Sequence, residues 1–202
     1  MTKTFCCLII ALLLISLMTS GCIEIKEDPE GITAKEGLNL AEEVASDWSE
    51  NATLVIVNKG SSMVSKGSFT AWGYGYYHMN ESIESGRDKF DLYTIRVYSD
   101  MTFESRETLN TTARQSPIYN WNKDSDEAYE IAMENESIKE FLSEYSRASV
   151  SGFTLFGGEG GSDPAWKIHW SSMRGFADPK HAEIRINARN GEVIEVDASS
   201  TP

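Results

Sequence analysis

The stretch FTAWGYGYYH, residues 69–78, decides how the first half of the chain must fold. Trp72, Tyr74 and Tyr76 stand at every second position, so in an extended strand they share one face, while Gly73 and Gly75 share the other. This spacing is typical of a β-strand whose large side chains face a covering layer. The two glycines would leave the outer face shallow, where an extended peptide or a neighbouring unit could lie.

The segments around this strand predict one helix and two more strands. Thr33 and Glu36 have capping-box spacing, and apolar residues repeat at helical intervals over residues 38–48. Residues 54–57 form a short apolar strand, and residues 93–97 alternate between apolar and polar side chains. The Gly/Ser-rich residues between the first two strands are interpreted as a connection.

The second half repeats this order of elements. Asp124 and Glu127 have the spacing of a helix start, and an apolar stripe follows over residues 128–145. Alternating or apolar runs then predict strands at residues 153–156, 166–170, 184–186 and 193–196, with a tight Asn190-Gly191 turn before the last one. The recurrence predicts an α+β fold of two tandem units, residues 32–112 and 122–198, each with one helix packed on a small antiparallel sheet.

The first 22 residues have the order of a lipoprotein signal peptide. Lys3 provides a basic start, residues 5–18 are apolar, and Thr-Ser-Gly precedes Cys22. We therefore expect cleavage after residue 21, lipid attachment at Cys22, and a short polar tether over residues 22–31. The protein would then be held at the cell membrane, facing outside the cytoplasm. The alternative is an uncleaved anchor.

Composition excludes several classes of function. The formal net charge is −13, and Lys3 is the only charged residue that cleavage would remove, so the chain lacks the basic excess that nucleic acid or an anionic membrane surface requires. Cys6 and Cys7 lie in the signal peptide. A mature chain would keep only the lipidated cysteine, which rules out a disulfide framework.

No constellation of residues predicts catalysis, a metal or a cofactor. The chain has no nucleophile elbow, no free mature thiol, and no metal-binding spacing among its histidines, His78, His169 and His181. Asn122, Asp124 and Asp126 have the alternation of a calcium loop, but the glycine and the final glutamate of that motif are missing. Acidic residues at a helix start explain them better. We therefore expect a protein that is not an enzyme.

Two kinds of candidate recognition position remain. Trp72, Tyr74 and Tyr76 could stack on a sugar or a peptide side chain, although aromatic residues at this spacing more often form core. Asn51, Asn80 and Asn110 start triplets that fit the N-glycosylation rule. A fourth triplet, at Asn135, falls on the apolar face of the predicted helix and would be accessible only if that helix were broken there.

The chain resembles the PepSY family, mainly in its second half, where residues 126–132 match the helix opening, residues 166–168 the middle strand and residues 182–197 the terminal hairpin. The first half matches more loosely, and its last hairpin strand is not evident after Glu107. The resemblance implies a noncatalytic envelope module that restrains or binds peptidases or other partners locally. The matching positions belong to core and turns, so they bear on fold more than on mechanism.

These observations predict a surface-anchored binding or regulatory lipoprotein. Its expected partners are the membrane, through the lipid, and an envelope peptidase, a peptide or another surface protein. Two alternatives stay open: a structural spacer without a specific ligand, and a hydrolase whose site lies at the interface of the two units.

Overall fold

The computed structural model describes residues 30–79, 90–111, 115–158, 162–172 and 180–198. The predicted signal peptide, most of the tether with Cys22, and the sequon at Asn80 lie outside the described residues. Among those that are described, no helix is both long enough and apolar enough to cross a membrane.

The described chain contains three helices and ten strands. The helices are α1 (Leu38–Trp48), α2 (Ser125–Glu134) and α3 (Glu136–Glu144). The strands are β1 (Thr53–Lys59), β2 (Met63–Ser65), β3 (Ser68–Phe69), β4 (Ala71–Met79), β5 (Phe90–Tyr98), β6 (Phe103–Thr111), β7 (Ser149–Phe156), β8 (Ala165–Ser172), β9 (Lys180–Asn187) and β10 (Val193–Ala198).

Eight of these strands form one continuous antiparallel sheet in the order β10-β9-β8-β7-β1-β4-β5-β6, while β2 and β3 form a separate short hairpin. The two halves of the chain join where β1 pairs with β7, with Ile56 opposite Phe156 and Asn58 opposite Thr154. The prediction of two tandem units, each with its own small sheet, is therefore wrong. Separate sheets would leave the inner edges of β1 and β7 with unpaired backbone groups, and pairing the two strands removes both edges.

A single hydrophobic core lies between one face of this sheet and the helices. Its centre is an aromatic cluster at the junction of the two halves, which we call the junction cluster: Phe69, Trp72, Trp121, Phe153 and Trp166. Trp72 meets Phe69, Phe153 and Trp166 edge to face, at ring-centroid distances of 4.9 to 5.9 Å. Such geometry adds to the stabilisation from burial, and the rings come from both halves, so the halves share their most tightly packed region.

Both predicted capping contacts form, but the one between Thr33 and Glu36 encloses a turn before α1, which begins at Leu38 with Gly37 as its N-cap and no side-chain cap. The amide of Thr33 donates to Glu36 Oε2 at 2.6 Å, and Asp124 and Glu127 form a capping box at the start of α2. The two caps also touch, because the amide of Lys35 donates to Asp124 Oδ1 at 3.1 Å. The Ala34 amide donates to the buried Ser125 hydroxyl at 3.0 Å. This second set of contacts ties the first half to the second.

Three elements differ from the sequence prediction. The strand that was not evident after Glu107 exists as β6. The segment interpreted as a connection contains the β2–β3 hairpin, whose turn includes Gly67 at φ +77°. The second helix is broken at Asn135, whose side-chain oxygen accepts from the amides of Ser137 and Ile138 and so caps α3.

Candidate functional site

The three aromatic residues predicted as recognition candidates are buried under the helical layer. Trp72 and Tyr74 are fully covered and Tyr76 is 3% exposed. The Trp72 ring nitrogen donates to the Ile32 carbonyl at 2.8 Å, and the Tyr74 hydroxyl donates to the Ala34 carbonyl at 2.7 Å. Burial raises the pKa of both tyrosines well above the usual range. Their placement follows the core alternative, since no ring face is open to a ligand.

The opposite face of β4 is filled by neighbouring side chains. A Cβ atom on Gly73 would come within 2.4 Å of Asn58 Oδ1, and one on Gly75 within 2.6 Å of Ile56 Cγ2. The two glycines thus make room for side chains of the adjacent strand β1. The shallow outer face that the sequence predicts is already occupied from within the sheet.

The sequence analysis left open a hydrolase site at the junction of the two halves. Asp124, at the start of α2, accepts from the amides of Ser125 and Lys35, and burial raises its pKa. Ser125 is fully buried and accepts from the Ala34 amide. These groups therefore hold the two halves together, and neither is placed as a nucleophile facing a base.

A serine–histidine contact lies on the other face of the sheet, which the helices do not cover. The Ser151 hydroxyl hydrogen-bonds His169 Nδ1, and the His169 and His181 rings stack at 5.7 Å. Burial lowers the pKa of His169. The nearest carboxylate in register, Glu183, is held by Lys167 at 2.8 Å. Among the described residues, no group of three or more His, Cys, Asp or Glu side chains is arranged to hold a metal ion.

The sequence analysis did not find this contact, because it depends on strand register. Ser151 sits at a bulge between Val150 and Gly152, and the pairing of β7 with β8 brings its hydroxyl to His169. A serine and a histidine 18 residues apart in sequence carry no spacing signal. Only the alternation of each strand could be read from the sequence.

The two ends of the sheet, β6 and β10, are edge strands, and β10 differs from β6 in that the helix α3 packs against it. Among the described strands β10 pairs with β9 alone. Its residues Val193 and Ile194 are 37% and 51% exposed. We call this strand and its outward-facing backbone the β10 edge. An edge strand offers unpaired N–H and C=O groups to a further strand.

An acidic cleft runs beside the β10 edge, between β10 and α3. It has a volume of about 440 Å³, and the residues that line it include Glu140, Phe141, Glu144, Val196 and Asp197. Glu140 and Glu144 are four residues apart and therefore lie on one side of α3. The glutamates recur at i, i+4 and i+8 from Glu136, a sequence signal that could have indicated an acidic helix face, although not its position beside β10.

Three of the four asparagines that begin a glycosylation triplet fall within the described residues. Asn51 lies exposed in the turn before β1. Asn110 lies in β6, and Asn135 lies at the break between α2 and α3.

The comparisons with known proteins give no further guide to the site: no family model, no curated protein and no solved structure matches this chain.

Proposed function

We propose that this protein is a noncatalytic binding module that receives an extended segment of a partner protein at the β10 edge. The observation that carries the proposal is the combination of an edge strand with an acidic cleft directly beside it. In this proposal the module is anchored through Cys22 at the outer surface of the cell membrane, and its partner is an envelope peptidase or another surface protein.

The backbone of the β10 edge supplies the attraction that does not depend on sequence. A partner strand that added to β10 would form main-chain hydrogen bonds, and its side chains would alternate between the two faces of the sheet. Val193 and Ile194 would lose their exposed apolar surface to the new strand. The strand would extend the sheet from eight strands to nine.

The acidic cleft supplies selectivity for a basic segment. Glu140 and Glu144 are about 6 Å apart along the helix, close to the roughly 6.6 Å between alternate residues of a strand. A partner with Lys or Arg at alternate positions would therefore match both carboxylates. Pairing with a second copy of β10 is disfavoured, because it would bring the negative charges of Glu195 and Asp197 from both copies to one interface.

The test uses full-length protein in detergent and a nine-residue peptide in which lysine alternates with threonine. We expect it to bind, and the glutamate-for-lysine version to show no binding, by isothermal titration calorimetry. A third peptide, N-methylated on every second backbone nitrogen, keeps the charges but cannot complete a strand ladder. The N-methylated peptide should bind much more weakly than the lysine peptide, since main-chain hydrogen bonds provide most of the affinity.

The matched variants compare the two edges of the sheet. Replacing both cleft glutamates (Glu140→Gln with Glu144→Gln) should weaken lysine-peptide binding about two- to thirtyfold, because exposed ion pairs contribute about 0.2–1 kcal/mol each. The control pair Glu104→Gln and Glu107→Gln on β6 should leave the affinity unchanged. Equal binding of the lysine and glutamate peptides, or equal loss in both variants, would overturn the proposal.

A further inference from the structure

A second groove, distinct from the acidic cleft, opens on the helical side of the sheet at the junction of the two halves. It has a volume of about 440 Å³ and is bounded by β1, β2, α2, α3 and the start of β7. We call it the junction groove. Its volume falls within the range of about 300–1,000 Å³ that is common for small-molecule sites.

The walls of the junction groove combine apolar side chains with the polar residues Ser62 and Ser149. Trp170, which is 2% exposed, and the partly buried Val150 lie on the sheet side, and Leu142 and Tyr129 come from the two helices. Met63 closes the groove from the β2–β3 hairpin. A methionine with three rotatable bonds can adapt to an apolar ligand that enters beside it.

One positive charge marks one side of the groove. Lys59, the last residue of β1, is the only charged residue among those that line it. The nearby hairpin lysine, Lys66, pairs with Glu130 at 3.7 Å, whereas Lys59 makes no ion pair within the described residues. Among those residues, therefore, no carboxylate competes with a ligand for its ammonium group.

We infer that the junction groove binds a medium-chain fatty acid, with its alkyl chain against Met63, Val150 and Leu142 and its carboxylate at Lys59. The apolar side chains remove part of the alkyl chain from water, and the ammonium group selects an anionic end over a neutral or cationic one. This site does not depend on the β10 edge, so each can be tested without the other.

The experiment compares three ligands of equal chain length on the full-length protein in a detergent below its micellar concentration. These are decanoate, decanol and decyltrimethylammonium, titrated by calorimetry and by the change in tryptophan fluorescence. We expect decanoate to bind at least tenfold more tightly than decanol, which corresponds to about 1.4 kcal/mol, and the cation to bind most weakly.

Two substitutions distinguish the contribution of the Lys59 charge to binding from that of the groove's shape. Lys59→Gln should reduce the preference for decanoate over decanol to nearly nothing, whereas the control Lys66→Gln in the nearby β2–β3 hairpin should keep it. Ala148→Leu, which adds bulk at the rim of the groove without changing charge, should weaken all three ligands together. The lysine peptide should bind all of these variants as it binds the unaltered protein.

Equal affinity for the three ligands would overturn the inference, and so would a preference for decanoate that survives Lys59→Gln. The absence of any binding by the folded, peptide-binding protein would overturn it as well. None of these results would bear on the β10 edge, because the two sites share no lining residue.

Discussion

The two halves of the molecule follow the same order of elements but cover their outer strands differently. In the first half α1 packs on β4 and β5, and the side chains of β6 from Phe103 to Leu109 are exposed on both faces. In the second half the helical layer breaks at Asn135, and α3 packs on both β9 and β10. The break therefore redirects the helical layer, and α3 forms one wall of the acidic cleft beside β10.

The two halves nevertheless share one hydrophobic core. Rings from both meet in the junction cluster, and the caps of the two helical segments bond to each other through Lys35 and Asp124. We therefore expect the halves to differ in what they bind at their edges and to be alike in how they unfold.

The largest expected effect comes from breaking the junction cluster with Trp166→Ala. Trp166 is fully buried, stacks edge to face on Trp72, Trp121 and Phe153, and donates to the Lys123 carbonyl at 2.8 Å. The loss should lower the free energy of unfolding by about 3–5 kcal/mol. Urea denaturation should still show one transition, with hydrogen exchange in β6 and β10 accelerated together.

The control for this substitution is Tyr119→Ala, an aromatic residue that is 62% exposed. It should change stability by less than about 0.5 kcal/mol. Two separate transitions, with the exchange of β6 unaltered in Trp166→Ala, would mean that the halves fold independently.

An intermediate effect is expected at Asp124, which caps α2 in the second half and binds Lys35 from the first. Asp124→Ala removes both contacts and should cost about 1–2 kcal/mol, more than Asn135→Ala, which removes only the cap of α3. Asp124→Asn keeps an acceptor oxygen and should cost little, as measured by urea denaturation at pH 7.

The same carboxylate predicts a pH dependence. Burial raises the pKa of Asp124, so its contribution to stability is complete below its pKa in the unfolded chain, near 3.9, and is lost as pH rises through the higher folded value. The stability of Asp124→Asn relative to the unaltered protein should therefore improve as pH rises from about 4 to 7. A relative stability that stays constant, or falls, over this interval would contradict the assignment.

The smallest expected effect compares two neighbouring tyrosines of β4. Tyr74→Phe removes the hydrogen bond to the Ala34 carbonyl and should cost about 1 kcal/mol. Among the described residues the buried Tyr76 hydroxyl has no hydrogen-bond partner, so Tyr76→Phe should be neutral or slightly stabilising. The difference between the two midpoints in urea measures the bond directly, and equal losses would contradict it.

Much of the local structure could be predicted from the sequence because it depends on neighbouring residues. The alternation around Trp72 and the cap at Asp124 each correspond to an observed element. The chain also reverses at Asn190-Gly191, but over the five residues 188–192, with Gly191 and not Asn190 at a positive φ. β6 could not be found in this way, because neither of its faces is covered and its side chains show no apolar alternation. The strand pairing of Phe156 with Ile56 could not be found either, since alternation does not specify which edges meet.

The two candidate sites could not be predicted from the sequence, because each depends on which elements pack side by side. The acidic face of α3 is visible as glutamates four residues apart, but the cleft requires β10 to lie alongside it. The junction groove brings Lys59 near Leu142, which is 83 positions later in the chain. The alternating aromatic rings that made Trp72, Tyr74 and Tyr76 recognition candidates instead fill the core.

The way the chain enters the fold has a mechanical consequence. Ile32 bridges to Phe69, its carbonyl accepts from Trp72, and the next residues are held by Tyr74 and Ser125 before α1 begins. Tension applied to the chain upstream of residue 30 would act on several bonds at the middle of the sheet, loaded together, and would not peel an outer strand. With the proposed anchor at Cys22, tension on the N-terminal segment would therefore leave β10, the strand proposed to bind the partner, paired with the sheet.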